Sequence, residues 1–135
     1  MPYCFREHTA DIRMNVEGKT LNELFGDALL GMIEIMTPIK SRSTAIVKRE
    51  IEIESADTTA LLVDFLNEAL AMMSTEHEAY TKVVFQALSE RSLKAELEGY
   101  NIESFGEDIK AVTYHEANVK KNNDGQWTTT IVFDI

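Results

Sequence analysis

Between residues 21 and 36, apolar side chains recur at Leu21, Leu24, Phe25, Ala28, Leu29, Met32, Ile33 and Met36. That spacing builds a helix with one wide apolar stripe, which is stable only when another apolar surface covers it. Thr20 followed by Glu23 forms a capping box at its start, and Thr37-Pro38 ends it. A second stripe follows at Leu61, Leu62, Phe65, Leu66, Ala69, Met72 and Met73, opened by Asp57 or Thr58 as cap. Val63 and Leu70 widen it, which predicts the more buried helix of the two.

The covering surface is legible in the remaining pattern. Ile12, Met14 and Val16 alternate with Arg13 and Asn15, as in a strand with one buried face. Val47, Ile51 and Ile53 share one side of a second strand, with Arg49 as the polar exception. After residue 78 the pattern is all β. Val83, Phe85 and Ala87 alternate, Ser89 to Ser92 turn the chain, and Leu93, Ala95 and Leu97 alternate against charged neighbours. Gly99 to Asp108 reads as a polar surface loop, Ile109 to Lys121 as a strand, and Asn122-Asn123-Asp124-Gly125 as a hairpin turn. Trp127, Thr129, Ile131, Phe133 and Ile135 then alternate. The expectation is an α+β fold: a single domain over residues 1–135, two layers deep, with two amphipathic helices packed on one face of a mostly antiparallel sheet.

Charge narrows the function. Against 13 Lys and Arg stand 23 Asp and Glu, a formal net charge of −10. A surface of that sign attracts cations and basic protein partners, so no stable direct binding of nucleic acid is expected. The only sizeable basic patch is Lys40, Arg42, Lys48 and Arg49. One cysteine, Cys4, excludes an internal disulfide framework and a multi-cysteine zinc site, and reads as a small core or edge residue. No signal-peptide pattern and no apolar run of membrane-spanning length is present, so a cytoplasmic, non-membrane location is expected.

Glycine-rich phosphate loops, nucleophile elbows and two-histidine zinc helices are absent from the sequence. Three clusters carry titratable groups. Glu7-His8-Thr9-Ala10-Asp11 precedes the first strand, where a loop meets a rigid element; the plainer reading is a turn bonded to its own backbone. In Ile109 to His115, strand alternation puts Lys110, Val112 and Tyr114 on one face and His115 on the other. Lys110 is either an edge charge or a neutraliser of nearby carboxylates, and His115 reads by itself as a rim histidine. The last residues, Asp134 and Ile135, offer a side-chain carboxylate and an α-carboxylate. If the sheet brings them beside Asp11, anionic oxygens converge, which is costly unless Lys110 or a hard cation such as Ca²⁺, Mg²⁺ or Mn²⁺ compensates. The plainer reading is an ordinary surface aspartate beside a fraying end.

Together these blocks resemble the archease family. The matching segments are His8-Thr9-Ala10-Asp11-Ile12, Gly18-Lys19-Thr20-Leu21, Glu23-Leu24-Phe25, Leu61 to Glu68, Ile109 to His115, and Asp134-Ile135, in order along nearly the whole chain. Phe65 stands where many relatives carry tryptophan. The resemblance implies a non-catalytic protein cofactor of an RtcB-type RNA ligase, the enzyme that joins RNA ends in tRNA splicing. It implies that the protein promotes guanylylation of the ligase and multiple turnover. It further implies a metal, most simply Ca²⁺, held by Asp11, Asp134 and the carboxylate group of Ile135. Lys110 corresponds to the family's required lysine, with His8 and His115 as weaker candidates for activation in trans. Two other classes compete. One is an independent metal-dependent hydrolase using Glu7 or His8 as base. The other is a general chaperone or protein-binding module with Met32, Met36, Met72 and Met73 as an adaptable surface.

Overall fold

The computed structural model describes residues 11–135. Strand β1 (Asp11–Gly18) leads into helix α1 (Leu21–Met36). β2 (Pro38–Lys40) and β3 (Ile46–Glu54) precede helix α2 (Thr58–Glu76). β4 (Glu78–Leu88), β5 (Ser92–Phe105), β6 (Ala111–Thr113), β7 (Lys120–Lys121) and β8 (Trp127–Asp134) complete the chain.

The fold is α+β, as the sequence pattern requires, and every strand pair is antiparallel. The strands divide between two sheets. In the first, β8 lies between β1 on one side and β6 and β7 on the other; in the second, β5 lies between β4 on one side and β2 and β3 on the other. Helix α1 packs on β1, β4 and β8, and α2 on β3, β4 and β6, so the helix pair joins the two sheets. Leu24, Phe25, Ala28, Leu29 and Met32 of α1 meet Leu61, Leu62, Phe65, Leu66 and Ala69 of α2 in one continuous buried cluster. Phe25, Phe65 and Phe85 form its aromatic centre, with ring centroids 5.7 to 6.3 Å apart. Met32, Met36 and Met73 are fully buried there, which removes three of the four side chains from the adaptable methionine surface considered above.

Both helices end as capping chemistry directs. Thr20 Oγ1 accepts from the Glu23 N–H at 3.1 Å, and the Glu23 carboxylate accepts from the Lys19 N–H at 2.7 Å, which completes the capping box. Asp57, rather than Thr58, caps α2 through the Ala60 N–H at 2.8 Å. Thr37 and His77 close the helices in the left-handed conformation, each returning its N–H to the last turn. His77 is therefore a helix terminator, the single residue between α2 and β4.

Two further expectations fail for identifiable reasons. Residues 99–105 are not loop but the second half of the 14-residue β5. The glycine that suggests a break is there for proximity: a Cβ on Gly99 would lie 1.8 Å from the Ala79 carbonyl oxygen, where β4 bulges between Tyr80 and Lys82. In the other direction, residues 109–121 are not one strand. β6 stops at Thr113, and a turn follows in which the Ala117 N–H bonds the Tyr114 carbonyl at 3.1 Å and Glu116 takes a positive φ of 62°. Lys110, Val112 and Tyr114 therefore do not share a strand face.

The polar exception on β3 has a partner. Arg49 reaches the Glu78 carboxylate through two bonds of 2.9 and 2.8 Å, and the Tyr80 hydroxyl donates to the same carboxylate at 2.9 Å. Glu78 is only 2% exposed and Tyr80 fully buried. The guanidinium bonds hold the Glu78 carboxyl below the usual glutamate range, although burial opposes this. Burial first, then the bond to Glu78, pushes the Tyr80 phenol up. A lowered carboxyl pKa gives stability that is complete above the unfolded value and lost as pH falls through the folded one. Glu78→Gln should cost about 2 kcal/mol at neutral pH, and the deficit should shrink in acid, where the parent loses the same contribution. Denaturant unfolding at neutral and acidic pH measures both. Gly99→Ala should cost at least about 2 kcal/mol in the same assay, because its new methyl meets backbone and not a movable side chain.

Candidate functional site

The candidate end of the first sheet is assembled by strand order. β8 is central, so Asp134 pairs across one side with Asp11 of β1 and across the other with Ala111 of β6. The Lys110 N–H donates to the Asp134 carbonyl at 2.7 Å. Directly opposed residues in an antiparallel ladder present their side chains on one face, about 5 Å apart at Cβ. Asp11, Asp134 and Ala111 thus share a face, while Ile12, Phe133 and Val112, the next register, turn to the core. Asp11 and Lys110 are exposed, and Asp134 and Ile135 half-buried.

The electrostatics of this end are unbalanced. Asp11 Oδ1 receives Arg13 Nη1 at 3.0 Å, and Arg13 also bonds Glu116 in the turn after β6. Those two carboxylates raise the Arg13 pKa, Glu116 contributing most. No ion pair among the described residues reaches the Asp134 carboxylate. Two like charges on opposed strand positions are unfavourable without a cation nearby. Carboxylate oxygens on a common face have the donor chemistry of a hard divalent ion. Among the described residues no group of three His, Cys, Asp or Glu side chains is arranged to hold a metal.

The remaining candidates are placed differently. His8, Glu7 and Cys4 lie outside the described residues. His115 is exposed in the turn beyond β6, where its backbone N–H bonds Thr113 Oγ1 at 3.3 Å. An open polar cleft of about 600 Å³ runs further along the outer face of the first sheet, lined by Asn15, Glu17, Glu116, Lys120, Thr128 and Thr130; it does not include Asp11 or Asp134.

Sequence reading missed the parts that hold this end in place. Among the described residues β6 has a single strand neighbour, and one side chain of α2 bonds its other edge. Asn67 Nδ2 donates to the Val112 carbonyl at 2.8 Å, and Asn67 Oδ1 accepts from the Val112 N–H at 2.9 Å. Asp64, one turn earlier, accepts from the Tyr114 hydroxyl at 2.7 Å and from Ser55 at 2.6 Å. The Asp64 bond, before any burial, raises the Tyr114 pKa. These contacts pin the segment carrying Lys110 to the helix. The available signal was a pair of polar residues, Asp64 and Asn67, beside the apolar stripe of α2; their partners in the β6 segment, Tyr114 and Val112, are 45 or more residues away and left no local trace.

The Archease protein family (MTH1598/TM1083) matches residues 3–135. The chain is 37% identical to the protein archease of Methanosarcina acetivorans and 35% identical to that of Methanosarcina barkeri. In each case the match covers 98% of this chain and 95% of the relative. Its fold resembles the crystal structure of an archease, described as a possible chaperone, from Thermotoga maritima, with a TM-score of 0.75 at 22% identity over 100% of this chain and 98% of that one. It also resembles the solution structure of protein 1598 of Methanobacterium thermoautotrophicum, with a TM-score of 0.68 at 29% identity over 96% of both chains. The chain belongs to the archease family.

Proposed function

We propose that this protein is a non-catalytic cofactor of an RtcB-type RNA ligase, promoting guanylylation of the ligase and its multiple turnover in tRNA splicing. The observation that carries the reading is the three-strand register Asp11, Asp134, Ala111, with the Lys110 N–H bonded to Asp134. It supports the reading because it brings the segments carrying Asp11, Asp134 and Lys110 to one end of one sheet.

Asp11, Asp134 and the carboxylate group of Ile135 would hold the ion, with Ca²⁺ favoured and Mg²⁺ or Mn²⁺ as alternatives. The ion supplies fixed positive charge to an otherwise acidic end. Lys110 extends from the same end as a mobile cation. Its backbone is fixed through Asp134 and through the Asn67 bonds to Val112, so the ammonium works from a rigid base. Phosphoryl transfer depends on positioning and charge stabilisation more than on covalent chemistry by the helper. A protein that inserts such a tip beside a nucleotide can accelerate the ligase's own nucleophile without owning one. The net charge of −10 fits a partner that is protein rather than free RNA. No described helix is long and apolar enough to cross a membrane, and a cytoplasmic site of action is part of the proposal.

The test is RNA joining by an RtcB-type ligase, with the guanylylation step followed separately. Asp11→Ala, Asp134→Ala and Lys110→Ala should each lower the stimulation at least tenfold, while circular dichroism and thermal unfolding stay close to the parent. Calorimetric titration with Ca²⁺ should lose its signal in the two aspartate variants and keep it in Lys110→Ala. Full stimulation by either aspartate variant would refute the site.

A further inference from the structure

β1 is an edge strand of unusual openness. β8 pairs one side of it through eight consecutive residues, Asp11 to Gly18, with no register shift, and no strand pairs the other side among the described residues. The Asn67 bonds determine which groups face that open side. They take both backbone groups of Val112, which therefore point away from β8. Val112 opposes Phe133, and Phe133 opposes Ile12, so the Phe133 groups turn toward Ile12. Ladder alternation then turns the N–H and C=O of Asp11, Arg13, Asn15 and Glu17 outward.

Beside this edge runs an open groove of about 580 Å³ between β1 and α1. Its helix wall is the stripe Asp27, Gly31, Glu34 and Ile35, and Met14 packs where a side chain at residue 31 would stand. The wall is thus bare backbone and apolar surface between two exposed carboxylates. Neither Asp27 nor Glu34 is ion-paired among the described residues. Proteins usually blunt such an edge with bulges, lysine or proline. β4, the corresponding edge of the second sheet, has two register shifts and Lys82. β1 has none of these; its one cation, Arg13, is committed to Asp11 and Glu116.

We propose that the β1 edge and its groove are a docking site for an extended, basic segment of another protein, bound as an added strand. The occupant is decided by charge. In an added strand every second side chain points toward α1, where Asp27 and Glu34 wait on either side of Gly31. On that face two lysines or arginines meet them, while a small or apolar residue between the two covers Gly31, Ile35 and Met14. The seven residues from Asp11 to Glu17 span about 20 Å, so a segment of similar length fills the edge. A second copy of this chain fits poorly, since pairing two acidic grooves in a chain of net charge −10 is repulsive. This inference rests on the edge and the groove alone and stands or falls separately from the ligase reading.

A blocked seven-residue peptide with lysine at positions 2 and 6, valine at position 4 and threonine elsewhere is the probe, and the same peptide with glutamate for lysine is its control. Amide hydrogen exchange of the full chain should slow at least tenfold at Arg13, Asn15 and Glu17 when the lysine peptide saturates, with no such change along β4. Asp27→Lys combined with Glu34→Lys should weaken binding at least tenfold. Asn15→Pro removes an outward N–H and no ladder bond, so it should keep the fold and abolish protection. If Asn15→Pro unfolds the chain, the double charge variant decides. Equal binding of the glutamate peptide, protection centred on β4, absence of binding at millimolar peptide, or self-association through β1 in sedimentation would each overturn the proposal.

Discussion

The central place of β8 is the constraint on which the rest of the molecule depends. A strand inside a sheet must satisfy backbone groups on both sides, and β8 does so with β1 from the start of the described chain and with β6 and β7 from its last third. Ile131 and Phe133 point into the core in this register and Val132 is buried on the other face; a one-residue slip would turn Ile131 and Phe133 out of the core. With that register in place, Asp134 has no freedom. It must stand between Asp11 and Ala111, and the chemistry of the site follows from a packing decision made one and two residues away.

Support for that end comes from α2. Asn67 performs for β6 what another strand would otherwise do, and it does so with a side chain that needs both its donor and its acceptor to face the same residue. The helix is itself held by burial of nearly its whole length, from Leu61 to Met73. Hydrophobic burial thereby becomes positional accuracy at Val112, and through Val112 at Lys110. The same economy appears in the second sheet. Glu78 is a buried charge kept ionised by Arg49 and Tyr80, and it ties the start of β4 to β3. Arg49 also reaches Glu76 at 3.4 Å, which links β3 to the last turn of α2.

Both helices were readable because their signals are local. The spacing of Leu21 to Met36 and the Thr20–Glu23 box lie within a few residues of one another, and so do the Asn122–Gly125 turn and its φ of 77° at the glycine. The failures share the opposite property. Gly99 marks contact with Ala79, twenty residues earlier, and nothing in its own neighbourhood distinguishes that from a loop glycine. The apparent strand from Ile109 to Lys121 is interrupted by a turn at Glu116, after which the Val119 N–H bonds Thr59, sixty residues earlier, and alternation alone does not foresee either feature. At the site, Asp11, Asp134 and Lys110 were identifiable as residue types at exposed ends of elements, whereas Asn67 and Asp64 were not.

By itself the sequence determined the α+β class, the two helices, most strand positions and the acidic balance, because each depends on periodicity or on counting. Only the tertiary structure decided that the strands separate into two sheets, that among the described residues β1 is paired on one side only, with Asp27 and Glu34 beside its other edge, and that Asp11 stands opposite Asp134. Those outcomes depend on which buried faces meet across the whole chain, and contacts between residues a hundred positions apart leave no pattern within any window of sequence short enough to read.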